Sequence, residues 1–319
     1  MQSKAISRRQ ALVHAGLLLG GALAGPKLAT GAEQPQTQRK NRPFIYSLNT
    51  ATIRGQKLGI VKEVEIVSKA GYDAIEPWVD TLSDYVKGGG DLKELRQRIN
   101  DSGLTVEGAI AFPEWIVEDD ARRAKGFERA KREMELAAQI GARRFAAPPA
   151  GATGLPKLEL IKAAERYRAL LEAGDQIGLV PELELWGFSA NLNRLGECVG
   201  IAMETGHPKA CVLADVFHLY KGGTQLEGFR LLASEAVQVL HMNDYPSDPP
   251  REKIDDSFRI YPGDGIAPWR ELLRLLHQTG GQKVLSLELF NRKLWAQDPL
   301  EVTKTGLSRM KAVVEQAQI

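Results

Sequence analysis

Two kinds of hydrophobic pattern alternate along the chain from Phe44 onward. Short apolar runs predict buried β-strands, and longer segments with apolar residues every three or four positions predict amphipathic helices. The eight predicted strands cover residues 44–49, 74–78, 105–110, 144–148, 180–185, 210–215, 237–242 and 283–288. The predicted helices cover residues 58–70, 92–101, 121–140, 158–177, 226–234, 268–279 and 299–316, with one more after strand five, where Asn191 is a candidate N-cap.

The regular alternation of strand and helix predicts the fold class. Eight such units in one chain favour an α/β fold of the (β/α)8 TIM barrel type over an open, doubly wound sheet. No glycine-rich dinucleotide or P-loop fingerprint follows any predicted strand, which weakens the open-sheet alternative further. We therefore expect residues 43–319 to form a single barrel domain.

The first 32 residues have the character of a targeting segment. The stretch SRRQAL (Ser7 to Leu12) resembles a twin-arginine export motif, and a weakly apolar, glycine-containing run follows it. That run is too short to span a bilayer comfortably, and Thr30-Gly31-Ala32 offers a cleavage site between small residues. The alternative, an amphipathic first helix, would need a polar face that the run lacks. We expect residues 1–32 to be a signal peptide and 33–42 a polar linker, which predicts a periplasmic or secreted protein without a stable membrane anchor.

Composition and charge narrow the classes of partner. Of the 319 residues, 43% are hydrophobic and 26% are charged, an ordinary globular balance. The four basic residues of the first 32 leave 38 Lys and Arg against 40 Asp and Glu in the remainder, so nucleic acid is not an expected partner. The two cysteines, Cys198 and Cys211, form no zinc or redox motif, and we expect unpaired core thiols, with a disulfide as the lesser alternative. The oligomeric state stays open, a homo-oligomer included.

Four predicted strands end in a side chain that can bind a metal, namely Glu184, Asp215, His241 and Glu288. The carboxyl ends of parallel barrel strands converge on one mouth, so the four side chains are expected to face each other. Three carboxylates in one partly dry site repel each other unless a cation binds them. Each residue alone has a structural explanation, for example a surface Glu182–Glu184 pair or a satisfied core histidine. The coincidence of all four at the same end of the barrel favours a metal site.

The donor types indicate which metal and which neighbouring residues to expect. An oxygen-rich site with one imidazole suits Mn²⁺, Mg²⁺ or Co²⁺, and Zn²⁺ less specifically. His218, three residues after Asp215, is expected to touch substrate or to support the site. Asp244 follows His241 closely, and a carboxylate near a ligating imidazole can fix its tautomer. We therefore place Asp244 among the candidate substrate-site residues.

Motifs around these residues carry a family resemblance. They are GYDAIEPW with Glu76, the LEL-W-G run with Glu184, DVFHLY, HMNDYP, RIYPGDG with Arg259, and SLELFNR. At these motifs the chain resembles the xylose isomerase-like barrel superfamily of sugar isomerases and epimerases, and within it inosose isomerase. The resemblance runs from about Ser47 to Gln316. It departs from the family at the polar loop from Pro246 to Phe258 and in the export signal.

The resemblance implies roles for individual residues. Glu184, Asp215, His241 and Glu288 would hold one divalent ion, with Mn²⁺ expected first. Glu184 and Glu288 would also move protons. Glu76, His218 and Arg259 would bind the hydroxylated substrate.

The expected function is isomerisation or epimerisation of a sugar, ketose or inosose. One glutamate would remove the proton α to a carbonyl, through a metal-stabilised enediolate. Three alternatives stay open: an inosose dehydratase-like or other sugar-acid lyase on the same site, a non-catalytic exported sugar-binding protein, and a DNA-repair endonuclease. The last needs more histidines than the four that follow the signal.

Overall fold

A computed structural model describes residues 42–319 of the chain. The predicted signal peptide and residues 33–41 of the predicted linker lie outside the described residues. The eight strands are β1 Phe44–Asn49, β2 Ala74–Glu76, β3 Thr105–Val106, β4 Arg144–Ala147, β5 Val180–Glu184, β6 Val212–Asp215, β7 Val239–Met242 and β8 Lys283–Leu287. Each of them lies within a predicted strand.

The helices fill the intervals between the strands. The α-helices are α1 Ile60–Ala70, α2 Val79–Lys87, α3 Leu92–Asp101, α4 Asp120–Gln139, α5 Leu160–Ile177, α6 Leu195–Glu204, α7 Val216–Gly222, α8 Trp269–Gln278, α9 Arg292–Trp295 and α10 Pro299–Ala317. Short 3₁₀ helices cover Thr50–Gln56, Leu226–Leu231, Ser234–Ala236 and Asp256–Phe258. Among residues 42–319, none of the helices combines the length and apolar character that crossing a bilayer requires.

The strands close into a barrel. Their order in the sheet is β3-β2-β1-β8-β7-β6-β5-β4, and the neighbours in this order pair in parallel. Backbone hydrogen bonds join the two ends of this sheet: Arg143 N donates to Val106 O at 3.3 Å, Ala109 N to Arg144 O at 3.1 Å, and Ala146 N to Ala109 O at 3.0 Å. The predicted TIM barrel is confirmed.

The helices are amphipathic and cover the outside of the barrel. In α8 the buried residues Trp269, Leu272, Leu273 and Leu276 recur at helical spacing, because one face packs against the barrel and the other meets solvent. Truncating one such leucine to alanine costs about 2–5 kcal/mol of stability.

Two glycines end helices in the way the sequence predicts. Gly71 and Gly178 follow α1 and α5 with φ of 89° and 93°, in the left-handed region that a side chain disfavours. Both cysteines, Cys198 and Cys211, are buried free thiols, as expected.

The barrel interior is layered. Leu213, Val239 and Val284 belong to a small apolar cluster separate from the main core. Side chains two positions further along a strand point to the same side, so the next layer above Leu213 and Val239 contains Asp215 and His241. Asp215 is paired with His241 across neighbouring strands, and His241 with Ser286. The polar layer at the mouth therefore rests on an apolar layer.

The structure corrects several predicted elements. Helices α2, α7 and α9 were not predicted, and the helix expected over 226–234 is replaced by two 3₁₀ turns. Asn191 does not cap α6. Its side chain instead accepts a hydrogen bond from Leu158 N and donates one to Ala152 O, which holds the segment after β4.

Candidate active site

Three predicted metal ligands meet at the barrel mouth. Asp215, His241 and Glu288 each offer one ligand atom, and these atoms lie within 4.8 Å of one another. Nδ1 of His241 is 3.2 Å from Oε2 of Glu288 and 3.7 Å from Oδ2 of Asp215. All three side chains are buried. They come from β6, β7 and the residue after β8, so the closed sheet brings them together.

Three buried atoms at this site lack a hydrogen-bond partner: Nδ1 of His241, Oε2 of Glu184 and Nδ1 of His218. The first two belong to predicted metal ligands and are atoms that bind divalent metals. Buried polar atoms without partners are costly, and in native proteins they need an explanation such as an ion. The donor set of carboxylate oxygens and one imidazole nitrogen therefore fits a divalent cation.

Glu184, the fourth predicted ligand, borders the same cavity but lies outside the 4.8 Å group. It is 4% exposed at the end of β5. Burial and the charge of Glu288 raise the pKa of Glu184 to about 8. At neutral pH the carboxyl group therefore carries a proton unless a cation compensates its charge.

Glu76 lies on the other side of the imidazole. Its Oε2 is 3.0 Å from Nε2 of His241 and accepts from Ser286 Oγ at 2.7 Å and Asn49 Nδ2 at 3.1 Å. A Cβ at Gly108 would overlap Oε1 of Glu76, so that glycine leaves the room for this carboxylate. Glu76 was expected to bind substrate, but it does not line the cavity. The structure places it where it orients the His241 ring.

Carboxylates flank both nitrogens of His241. Burial lowers the pKa of an imidazole, but the charges of Glu288 and Glu76 outweigh it and raise the pKa of His241 well above its ordinary value. The carboxylates around His241 therefore stabilise positive charge at the centre of the site.

Arg259 binds three carboxylates, two of which, Asp215 and Glu288, belong to the cluster of metal-ligand candidates. Its Nη1 donates to Asp215 Oδ2 at 2.8 Å and to Glu288 Oε2 at 2.7 Å, and its Nη2 donates to Asp256 Oδ1 at 2.6 Å. The side chain is 1% exposed. Burial disfavours the guanidinium charge, but the charges of Asp215, Asp256 and Glu288 prevail and raise the pKa of Arg259. As predicted, Arg259 lines the cavity.

His218 also lines the cavity, as expected for a substrate-site residue. Burial lowers its pKa, so the ring is neutral near pH 7. Nε2 of His218 lies 3.1 Å from Nη2 of Arg259, which can only donate, so we assign the ring proton to Nδ1. That Nδ1 has no hydrogen-bond partner and can donate to a substrate oxygen.

Asp244 has a different position from the one expected. Its Oδ1 accepts from Tyr245 N and Ala267 N, and its Oδ2 accepts from Gly263 N and Trp269 Nε1, all at 2.8–2.9 Å. With both oxygens engaged in this way, Asp244 fixes the loop before α8. The His241 ring is fixed by Glu76 instead, which corrects the predicted role of Asp244.

A cavity of about 360 Å³ opens above the cluster. Glu184, Glu288, His218 and Arg259 form its polar floor, and aromatic side chains form most of its wall. Its size lies within the range of small-molecule sites. The arrangement can hold a cation, place two carboxylates beside a bound molecule and exclude much of the water.

Four residues that support this site were not predicted from the sequence. Asn49 bridges Glu76 and Glu288, Ser286 donates to Glu76, Asn243 donates to Asp215, and Asp256 accepts from Arg259. Side chains two positions apart on a strand point to the same side, so Ser286, two residues before the predicted ligand Glu288, could have been found from the sequence. The spacing of three residues between Asp256 and Arg259 is the only local signal for their pairing.

The match to a family model now decides the family. The model described as xylose isomerase-like TIM barrel matches residues 64–313. The chain belongs to the xylose isomerase-like TIM barrel family. The predicted resemblance is thereby confirmed.

Individual relatives add detail. The chain is 25% identical over 263 residues to an inosose isomerase of Bacillus velezensis, a match that covers 79% of this chain and 91% of that protein. It is 23% identical over 276 residues to a 3-dehydroshikimate dehydratase of Pseudomonas putida, covering 86% of this chain and 42% of that protein. Among solved structures, the IolI protein with a bound zinc atom superposes with a TM-score of 0.79 at 21% identity, covering 86% of this chain and 99% of that one. The prediction of an isomerase-type enzyme of this superfamily is confirmed.

Proposed function

We propose that the protein is a divalent-metal-dependent isomerase or epimerase of a sugar, ketose or inosose. The observation that carries the proposal is the convergence of Asp215, His241 and Glu288 within 4.8 Å beneath a small-molecule cavity. Glu184 is the fourth proposed ligand, because its unpartnered Oε2 is buried at the same cavity. The similarity to inosose isomerase supports the substrate class.

Asp215, His241, Glu288 and Glu184 would hold the ion, which when bound would stabilise negative charge on the carbonyl oxygen of the substrate. Mn²⁺ is the proposed ion, and the bound zinc of the IolI structure keeps Zn²⁺ among the candidates. Removal of the bound ion should abolish activity.

The chain itself supplies the proton transfers. Glu184 ends β5 and Glu288 directly follows β8. These strands are three positions apart in the ring of strands, so the two carboxylates approach the cavity from different sides. Glu288 is held in place by hydrogen bonds from Asn49 Nδ2 at 2.9 Å and Arg259 Nη1 at 2.7 Å, and we assign it the removal of the α-proton. Glu184, which lines the same cavity, is the second proposed acid/base group and would return the proton. One glutamate suffices to isomerise on one face, and both together can epimerise.

His218 and Arg259 position the substrate. The Nδ1–H of His218 is available to a hydroxyl oxygen, and the Arg259 guanidinium holds Glu288 and Asp215 in place. The aromatic wall reduces water access to the reacting carbon.

Proton exchange with solvent tests the proposal. The protein is stripped with a chelator, reloaded separately with Mn²⁺, Mg²⁺, Co²⁺ or Zn²⁺, and incubated in D₂O with a panel of ketoses and inososes. Loss of the α-proton signal by NMR is expected with at least one ion, and Glu288→Gln should abolish it while circular dichroism stays unchanged. Glu315→Gln, on the outer helix α10, is the matched control and should exchange normally. Metal binding without exchange of any substrate would favour a non-catalytic sugar-binding protein.

A lyase is the second candidate, because the chain is similar to a 3-dehydroshikimate dehydratase over 86% of its length. The same proton abstraction would be followed by departure of a β-hydroxyl group as water. Mass spectrometry separates the two reactions, since an isomer keeps the mass of the substrate and a dehydration product is lighter by one water.

A further inference from the structure

Six rings form a continuous arc around the mouth of the cavity. We define the aromatic arc as six rings that line the cavity and contact one another in the order Phe290, Trp78, Phe112, Trp186, Phe188 and His218. Neighbouring centroids along it are 6.0, 4.9, 5.9, 5.3 and 5.6 Å apart. These distances are those of offset or edge-to-face ring contacts.

The arc is a product of the whole barrel. Its rings follow five different strands, β2, β3, β5, β6 and β8, and each lies beyond the carboxyl end of its strand. No helix or hairpin could supply this arrangement locally. Such loops past the strand ends are where barrel enzymes bind their substrates.

The outer part of the arc faces solvent. Phe188 is 48% exposed, and Trp186, stacked against it, is half-buried. Apolar rings that line a cavity and remain open to water are a ligand-binding feature, because covering them removes apolar area from solvent. The other rim is polar, with Asp256, Ser257 and Arg292.

The cavity exceeds a single sugar ring. A hexose occupies roughly 200 Å³ at protein-like packing density, whereas the cavity measures about 360 Å³. A ring anchored at Glu184 and Glu288 therefore leaves space along the arc. Arg259 is already bound by three carboxylates and is not free to bind a substituent of that ring.

We propose that the aromatic arc is a subsite for a second ring, so that the substrate is a glycoside or another ring-substituted sugar, with the reacting ring at Glu184 and Glu288 and the flat apolar face of the second ring on Trp186 and Phe188. This inference rests on the proposed function for the identity of the reacting end. Either a second sugar or an aryl group presents the required face.

Calorimetric titration of the metal-reconstituted full chain tests the subsite without catalysis. Methyl β-glucoside provides one ring, and phenyl β-glucoside and methyl β-cellobioside provide two. All three are locked as acetals and have no carbonyl group that could react. At least one two-ring ligand should bind about three- to tenfold more tightly than methyl β-glucoside, the gain expected of ring contacts. A preference for phenyl β-glucoside assigns the subsite to aryl groups, and one for methyl β-cellobioside assigns it to sugars.

A variant and its control test whether Phe188 is responsible for the tighter binding of two-ring ligands. Phe188→Ala should remove most of the two-ring advantage and affect methyl β-glucoside much less. Leu231→Ala, at an apolar residue that is 88% exposed and does not line the cavity, is the control and should leave all affinities unchanged. Equal affinity for one- and two-ring ligands, no binding of either two-ring ligand, or an equal loss for all ligands in Phe188→Ala would overturn the subsite. Failure of α-proton exchange with the preference intact would remove the proposed reaction and leave the subsite standing.

Discussion

Oε2 of Glu76 lies 3.0 Å from Nε2 of His241, so the opposite nitrogen of the ring faces Glu288 and Asp215. The contact selects which imidazole nitrogen is offered to a cation and fixes the plane of the ring. Glu76 is itself held by Ser286 and Asn49. Glu76, Ser286 and Asn49 therefore fix the position of the His241 ring, and with it the geometry of the metal ligands at the barrel mouth.

Replacing Glu76 by glutamine should weaken metal binding about 10- to 100-fold, because the charge that orients and polarises the imidazole is lost. Titration calorimetry with Mn²⁺ and Zn²⁺ measures the effect. Glu63→Gln removes an equally buried carboxylate on α1, outside the site, and should bind metal as the unaltered protein does. Unchanged affinity in Glu76→Gln would show that the ring is held by other contacts.

Metal affinity should rise with pH up to about pH 8. The pKa of Glu184 is raised to about 8, so its carboxyl group carries a proton at pH 7 that must leave when a cation binds, and the raised pKa of His241 acts in the same direction. The affinity should fall about tenfold or more for each pH unit below 8. Calorimetry at pH 7 in buffers of different ionisation enthalpy should reveal at least one proton released per ion. Glu184→Gln should reduce both the affinity and the number of protons released, and a flat pH dependence would contradict the assignment.

The role of Asp244 as a loop anchor predicts a stability defect. Asp244→Asn replaces one acceptor oxygen with an amide that cannot accept from two of the four donors, which should cost about 3 kcal/mol in the free energy of unfolding. Urea denaturation measures this loss. Asp248→Asn, at an exposed position, should be neutral. The folded Asp244→Asn protein should still bind one metal ion, and loss of metal binding with full stability would instead support a role at the substrate.

Export by the twin-arginine route is a proposal that rests on residues outside the described range. Replacing Arg8 and Arg9 together by lysine should keep the protein in the cytoplasm of a bacterial host with this pathway, because the route depends on the arginine pair. Cell fractionation and immunoblotting report the location. Lys4→Gln should not change it, and periplasmic recovery of the double variant would argue against this route.

Much of the barrel could be predicted because its strands are marked by local pattern. The ends of β5, β6, β7 and β8 were placed within two residues, and the four candidate ligands follow from where apolar runs stop. Three short helices were not predicted: α2 buries only Val79 and Leu82, α7 begins directly at the end of β6, and α9 has only 4 residues. The helix predicted over 226–234 does not form, and Leu231 there is 88% exposed because no continuous apolar face exists.

The roles of Glu76 and Asp244 were beyond local pattern. Glu76 contacts an imidazole 165 positions away, and Asp244 binds donors from a loop that begins 19 residues later. Sequence proximity suggested a pairing of Asp244 with His241, but the long-range contacts of both residues decide otherwise. The aromatic arc was not predicted either, because its members lie in five separate segments of the chain that meet only when the barrel closes.

The pairing of Asp215 with His241, and of His241 with Ser286, ties the ionic centre to the hydrogen-bonded ladder of the sheet. The rings around the mouth belong to segments past the strands and carry no such constraint. Selectivity can therefore diverge by exchange of these outer segments while the reactive groups keep their spacing. Redesign for new substrates should begin at positions 112, 186, 188 and 290 and leave the register of β6, β7 and β8 untouched.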